Sequence, residues 1–181
     1  MLTLLSIDTN VPLCTVQVDD YIPLSIEWDE RNFLIPRVYF RTGNLDTEML
    51  EIGIESDSGK LSSITLVSIE KITFIPQTLQ QNQPCQKGFP VFSLPQSWKE
   101  QRYIDAPEPL TLTVWQDVVE LSFPKEKVST HYVQSNNVRF GIGIENQLVS
   151  ICLPLDLEQL KKLKEYAAYL DQKDKHPPSF S

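Results

Sequence analysis

Two phrases of this chain constrain its fold more than anything else in it: "IGIESDSGKLSSITL" (52–66) and "IGIENQLVSICL" (142–153). Each alternates apolar and polar or small residues, breaks at a turn, then resumes an apolar-rich run, which is the grammar of a β-hairpin. The first turn carries Asp57 and Gly59, residues that tolerate the positive φ of three- to five-residue loops. The second closes on Asn146 and Gln147. Upstream of each stands a Trp-and-acid stretch ending in proline, "EWDERNFLIP" (27–36) and "VWQDVVELSFP" (114–124). Trp28 to Trp115 and Leu61 to Leu148 are both spaced 87 apart, and the two "IGIE" tetrapeptides 90 apart. Matches recurring in the same order predict an internal duplication. A meander with one apolar face cannot bury that face alone, whereas two copies can cover each other.

The expected fold is therefore α+β, mostly β: two duplicated antiparallel β-meander halves packed together, with a C-terminal helix on a sheet face. Residues 1–75 form the first half and 110–175 the second. Residues 76–109 differ in texture, with six prolines and several glutamines. Proline removes ladder donors, so a central strand is unexpected there. The segment reads as a connector, partly docked through Phe89, Val91, Phe92, Leu94 and Trp98. After the second hairpin, Asp156 and Gln159 have capping-box spacing and open a helix over 156–172. Its apolar stripe is Leu157, Leu160, Leu163, Tyr166, Ala167 and Leu170.

The chemistry of catalysis is hard to find in the sequence. His131 and His176 have no Cys, Asp or second His at metal-ligand spacing. Cys14, Cys85 and Cys152 are far apart and odd in number, which fits unpaired thiols in a reducing compartment. Cys152, between Ile151 and Leu153, reads as a packed thiol. No phosphate-binding loop, dinucleotide fingerprint, nucleophile elbow or complete calcium loop occurs. The expectation is a non-enzyme without cofactor or metal. An enzyme working through carboxylates is the minor alternative.

Sixteen Lys and Arg against 24 Asp and Glu give a net charge of −8. That balance argues against nucleic-acid binding, and no apolar run is long enough to span a membrane. It suits a protein that draws in a basic partner by long-range attraction. The acids at turns and strand ends, Asp46, Glu48, Asp57, Glu108 and Asp117, are the candidate interface, with Trp28 or Tyr103 as aromatic anchors. For Trp28 and Trp115 a place in the core is the better reading.

The phrases "MLEIGIESDSGKLSSITLVSI" and "VRFGIGIENQLVSICLPLDLEQL" resemble those of small bacterial immunity proteins, including those of contact-dependent growth inhibition systems. The resemblance implies a cytoplasmic antitoxin without catalysis that binds one cognate toxin domain. A non-enzymatic scaffold, or a module assembling as a homodimer through exposed strands, is the alternative.

Overall fold

The computed structural model describes residues 1–28, 35–116, 118–123 and 128–175. In chain order its elements begin with strands β1 (Thr3–Asp8), β2 (Cys14–Gln17), β3 (Leu24–Trp28), β4 (Arg37–Thr42), β5 (Met49–Glu55), β6 (Leu61–Ser68) and β7 (Ile72–Phe74). Next come β8 (Cys85–Lys87), β9 (Phe89–Ser93), the single-turn helix α1 (Gln96–Lys99) and β10 (Tyr103–Asp105). Strands β11 (Thr111–Val114), β12 (Val118–Ser122), β13 (His131–Ser135), β14 (Val138–Ile142) and β15 (Leu148–Pro154) precede the long helix α2 (Leu157–Lys175). The fold is mostly β with a C-terminal helix, as the alternation of the sequence predicts.

The strands form a six-stranded sheet in the order β10-β4-β5-β6-β3-β2 and a seven-stranded sheet in the order β7-β11-β12-β15-β14-β13-β8. Strip away the short edge strands and the same five-strand order remains in both: β4-β5-β6-β3-β2 matches β13-β14-β15-β12-β11. The registers agree as well. Ile52 lies between Phe40 and Ile64 in the first sheet, and Phe140 lies between Val133 and Ile151 in the second. In each, a glycine faces a serine (Gly53 with Ser63, Gly141 with Ser150), and the ladder shifts at the next residue.

This shared topology corrects the equivalences drawn from the sequence phrases. By register, Gly53 corresponds to Gly141, not to the Gly143 of the second "IGIE". Trp28, two residues beyond the Ile26–Ile64 pair, corresponds to Phe123, two beyond Leu121–Ile151. Trp115 instead sits half-buried in the β11–β12 turn, its indole N–H donating to Glu120 Oε2 at 3.1 Å. The phrases mark hairpins but align them two residues out. Strand order is what the two sheets share; the duplication expected from the phrases is not confirmed.

The sheets are also mixed rather than purely antiparallel. β10 pairs in parallel with β4, β7 with β11 and β8 with β13. Parallel neighbours need long connections. Here the chain supplies them by crossing between sheets: β7, from residues 1–75, edges the second sheet, and β10, from 76–109, edges the first. The proline-rich segment thus contains three paired strands, all at sheet edges or in a two-stranded ribbon, where missing donors are tolerated.

That ribbon, β1 with β9, ties the two sheets together. On the β1 side, Leu148 N donates to Leu2 O at 2.9 Å and Leu4 N to Asn146 O at 2.7 Å, both at the second hairpin's turn. On the β9 side, Phe92 N donates to Gly59 O at 2.8 Å, at the first hairpin's turn. Gly59 has φ +74°, and a Cβ there would stand 2.2 Å from the Phe92 carbonyl oxygen. Gly59→Ala is therefore expected to cost about 2 kcal/mol or more, through left-handed strain and loss of this latch, read from the urea midpoint.

Between the sheets lies one core. Trp28 packs edge-on to Phe89 of the ribbon at 5.5 Å and against Phe140 of the second sheet at 6.2 Å. Helix α2 opens with the expected capping box: Gln159 N donates to Asp156 Oδ1 at 2.8 Å and Asp156 N to Gln159 Oε1 at 3.0 Å. The Gln159 amide also donates to Val16 O at 3.1 Å, so α2 covers the edge strand β2. Leu160 and Leu163 enter the core, whereas Leu157, expected on the same stripe, is 87% exposed in the first turn.

Candidate functional site

A groove of about 960 Å³ opens where α2 passes the end of the six-stranded sheet. Four short pieces of chain build it: the β2–β3 turn, the β4–β5 turn, the end of β6 with the residues after it, and one face of α2. They contribute the acids Asp20, Asp46, Glu70 and Glu165 and the rings of Tyr21, Tyr166 and Tyr169. Among the described residues, none of those lining it is basic.

Local chemistry fixes each piece. The Asp19 carboxylate accepts the backbone N–H groups of Ile22 at 2.6 Å and Tyr21 at 2.7 Å. These two bonds hold its pKa below the usual carboxylate value and leave Tyr21 projecting, 89% exposed. In the next turn Asn44 Oδ1 accepts from the backbone N–H of Asp46, Thr47 and Glu48 at 2.8–3.0 Å, while the Thr47 hydroxyl donates to Glu70. On α2, Glu165, Tyr166, Tyr169 and Leu170 occur at helical spacing that puts them on one face, with the Tyr166 and Tyr169 rings 6.5 Å apart.

Glu48 stands just behind this wall, half-buried. Burial, and then the charge of Glu70, raise its pKa, partly offset by a hydrogen bond from the Glu70 backbone N–H. A carboxyl whose pKa is raised by folding weakens the fold above both its folded and unfolded pKa values. The penalty fades as pH falls through them. Glu48→Gln is accordingly expected to raise the melting temperature by about 1–3 °C at pH 7 and to leave it unchanged near pH 3.

Of the residues singled out from the sequence, Asp46 lines the groove and Glu48 backs it. Asp57 is exposed at the opposite end of the β5–β6 hairpin. Glu108 pairs its backbone with Gly43, with N–H to O distances of 3.1 Å in both directions. Tyr103, 40% exposed, lies on the β10 edge with the guanidinium groups of Arg41 and Arg102 4.5 and 5.3 Å from its ring centre. Trp28 is only 2% exposed, wedged between Phe89 and Phe140, so it cannot anchor a partner. Asp117 lies outside the described residues. Sequence reasoning missed Asp20, Tyr21, Glu70, Glu165 and Tyr169, which no single window brings together.

Nothing in the described residues forms a nucleophile site around the cysteines. The Cys152 thiol is pushed up to about 12, by burial first and then by the charge of Glu120, far from a thiolate at neutral pH. Among the described residues, no group of three or more His, Cys, Asp and Glu could hold a metal, and no helix is long and apolar enough to cross a membrane. No known protein family matches the chain, and neither does any curated protein sequence.

Proposed function

We propose that this protein is a cytoplasmic immunity-type inhibitor that binds a cognate, basic, nuclease-like toxin domain and neutralises it by occlusion, without catalysis. The acidic, tyrosine-lined groove carries the reading: four carboxylates, with no basic residue among the described lining, attract a cationic surface and repel phosphate. The net charge of −8 extends that attraction beyond the groove. Tyrosines supply contact area with little side-chain entropy to lose, which is why such rings recur at protein interfaces.

The test uses the toxin domain encoded beside the gene. Purified protein should inhibit it at one-to-one stoichiometry, and the double reversal Glu70→Lys with Glu165→Lys should weaken inhibition about 100-fold or more. Asp57→Lys, at the far end of the hairpin, should weaken it by no more than a few-fold. Failure to slow any neighbouring toxin, or equal losses from both sites, would end the proposal.

A second reading, a non-enzymatic assembly module, draws on β8. This strand closes one end of the seven-stranded sheet, and all three of its side chains are exposed. A molar mass that rises with concentration in the absence of any other protein is its signature.

A further inference from the structure

We infer that the groove between α2 and the end of the six-stranded sheet selects an arginine-bearing segment of its protein partner, seating a guanidinium between tyrosine rings and carboxylates. This rests on the reading of the groove as a partner-binding site and names the side chain that fills it.

The molecule already contains the complete arrangement elsewhere. On the β10 edge, Arg41 donates from Nε and Nη2 to the two Asp105 carboxylate oxygens at 2.7 and 2.9 Å while lying 4.5 Å over the Tyr103 ring. A planar guanidinium can satisfy a carboxylate in two places and stack on a ring together; a lysine ammonium, a compact hydrated charge, cannot. The groove holds the other half of that arrangement. Asp20, Asp46, Glu70 and Glu165 line it together with Tyr21, Tyr166 and Tyr169, and no basic side chain lines it among the described residues. Among the described residues two lysines of α2 stand near it: Lys161 lies 3.8 Å from Glu165, an exposed pair that a stronger cation displaces at little cost, and the charge of Lys162 acts on Asp19 in the β2–β3 turn. At about 960 Å³ the groove is large enough for several side chains of an extended or helical segment rather than for one ion. Tyr21 and Tyr169 are 89% and 59% exposed, and the Tyr166 ring that Tyr169 faces belongs to the same groove, so both can turn toward such a guest without opening the core.

Three synthetic peptides of equal length test this with the full chain, one bearing arginines, one lysines at the same positions and one glutamates, each titrated calorimetrically at low and physiological salt. The arginine peptide should bind about three- to fivefold tighter than the lysine peptide, and the glutamate peptide not at all. Tyr21→Ala with Tyr169→Ala, both at exposed positions, should erase the arginine preference and leave the lysine peptide's affinity nearly unchanged. Glu70→Gln with Glu165→Gln should weaken both basic peptides. Equal affinity for the two basic peptides, or a preference that survives loss of the tyrosines, overturns the inference. Inhibition of the neighbouring toxin without binding of either basic peptide overturns it too, while sparing the immunity reading. Arginine selectivity with no toxin inhibited refutes only the immunity reading.

Discussion

Trp28→Ala is expected to destabilise the protein by about 3–5 kcal/mol, the range for truncating a large aromatic side chain that the core cannot collapse around. The site explains why the loss falls at that end of the scale. Trp28 is carried by β3 of the six-stranded sheet, touches Phe140 of the seven-stranded sheet and Phe89 of the ribbon, and is 2% exposed. Its removal leaves a void walled by three different elements, none of which moves without breaking a ladder. The comparison with Trp28→Phe is informative, because the buried Trp28 indole N–H has no hydrogen-bond partner among the described residues. Phenylalanine gives up volume but also relieves that buried donor, so its cost should be about a third of the alanine value or less. Urea denaturation of the three proteins measures both numbers. Because the groove lies at the β2–β3 turn, the opposite end of β3 from Trp28, partner affinity of the folded Trp28→Phe protein should match that of the unsubstituted chain.

How much of this could be read from the residues follows from the range over which each signal acts. Alternation of side chains is local, so the strands of both hairpins, and the reciprocal cap of α2 by Asp156 and Gln159, stand out in the sequence. Pairing is non-local. Nothing in "ITF" (72–74) announces a parallel partner in Thr111–Val114, and nothing in "YID" (103–105) announces one in β4. Those crossovers turn a connector into structure: Arg139 Nη1 donates to Gln81 at 2.7 Å and Tyr132 N to Pro84 O at 2.8 Å, so even the Gln-rich run lies against the second sheet. Repeated phrases mislead about register, since a tetrapeptide match is indifferent to a bulge while a ladder is not. The groove was the least legible feature. Its acids come from the Asp20, Asp46, Glu70 and Glu165 neighbourhoods, and each taken alone resembles an ordinary solvated turn or helix face. Asp46 and Glu48 were within reach because acids at strand ends are candidates anywhere. Tyr166 falls on the apolar stripe of α2, where it does pack partly, and that role masks its neighbour Tyr169 in the sequence.

The second large effect concerns the whole architecture. The first five-strand unit keeps Ile26, Trp28, Phe40, Ile52, Ile54, Ile64 and Leu66 dry only because the second unit and the ribbon lie over them. Strand β1 is bonded to the turn of the second hairpin, and β9 to the turn of the first. The strand that opens the first half is therefore held by the second unit, β9, which precedes the second unit, is held by the first, and β7 and β10 are edge strands lent across the same divide. A chain separated after the exposed Gln80 should yield two pieces with complementary faces and exchanged edges.

Circular dichroism and urea unfolding of fragments 1–80 and 81–181, alone and mixed, test that mutual shelter most directly. We expect neither fragment to show a cooperative transition alone, and an equimolar mixture to recover the strand signal and a single unfolding step. A fragment that unfolds cooperatively on its own, with the mixture merely adding the two curves, would contradict the interlocked core from which the groove and its proposed use are built.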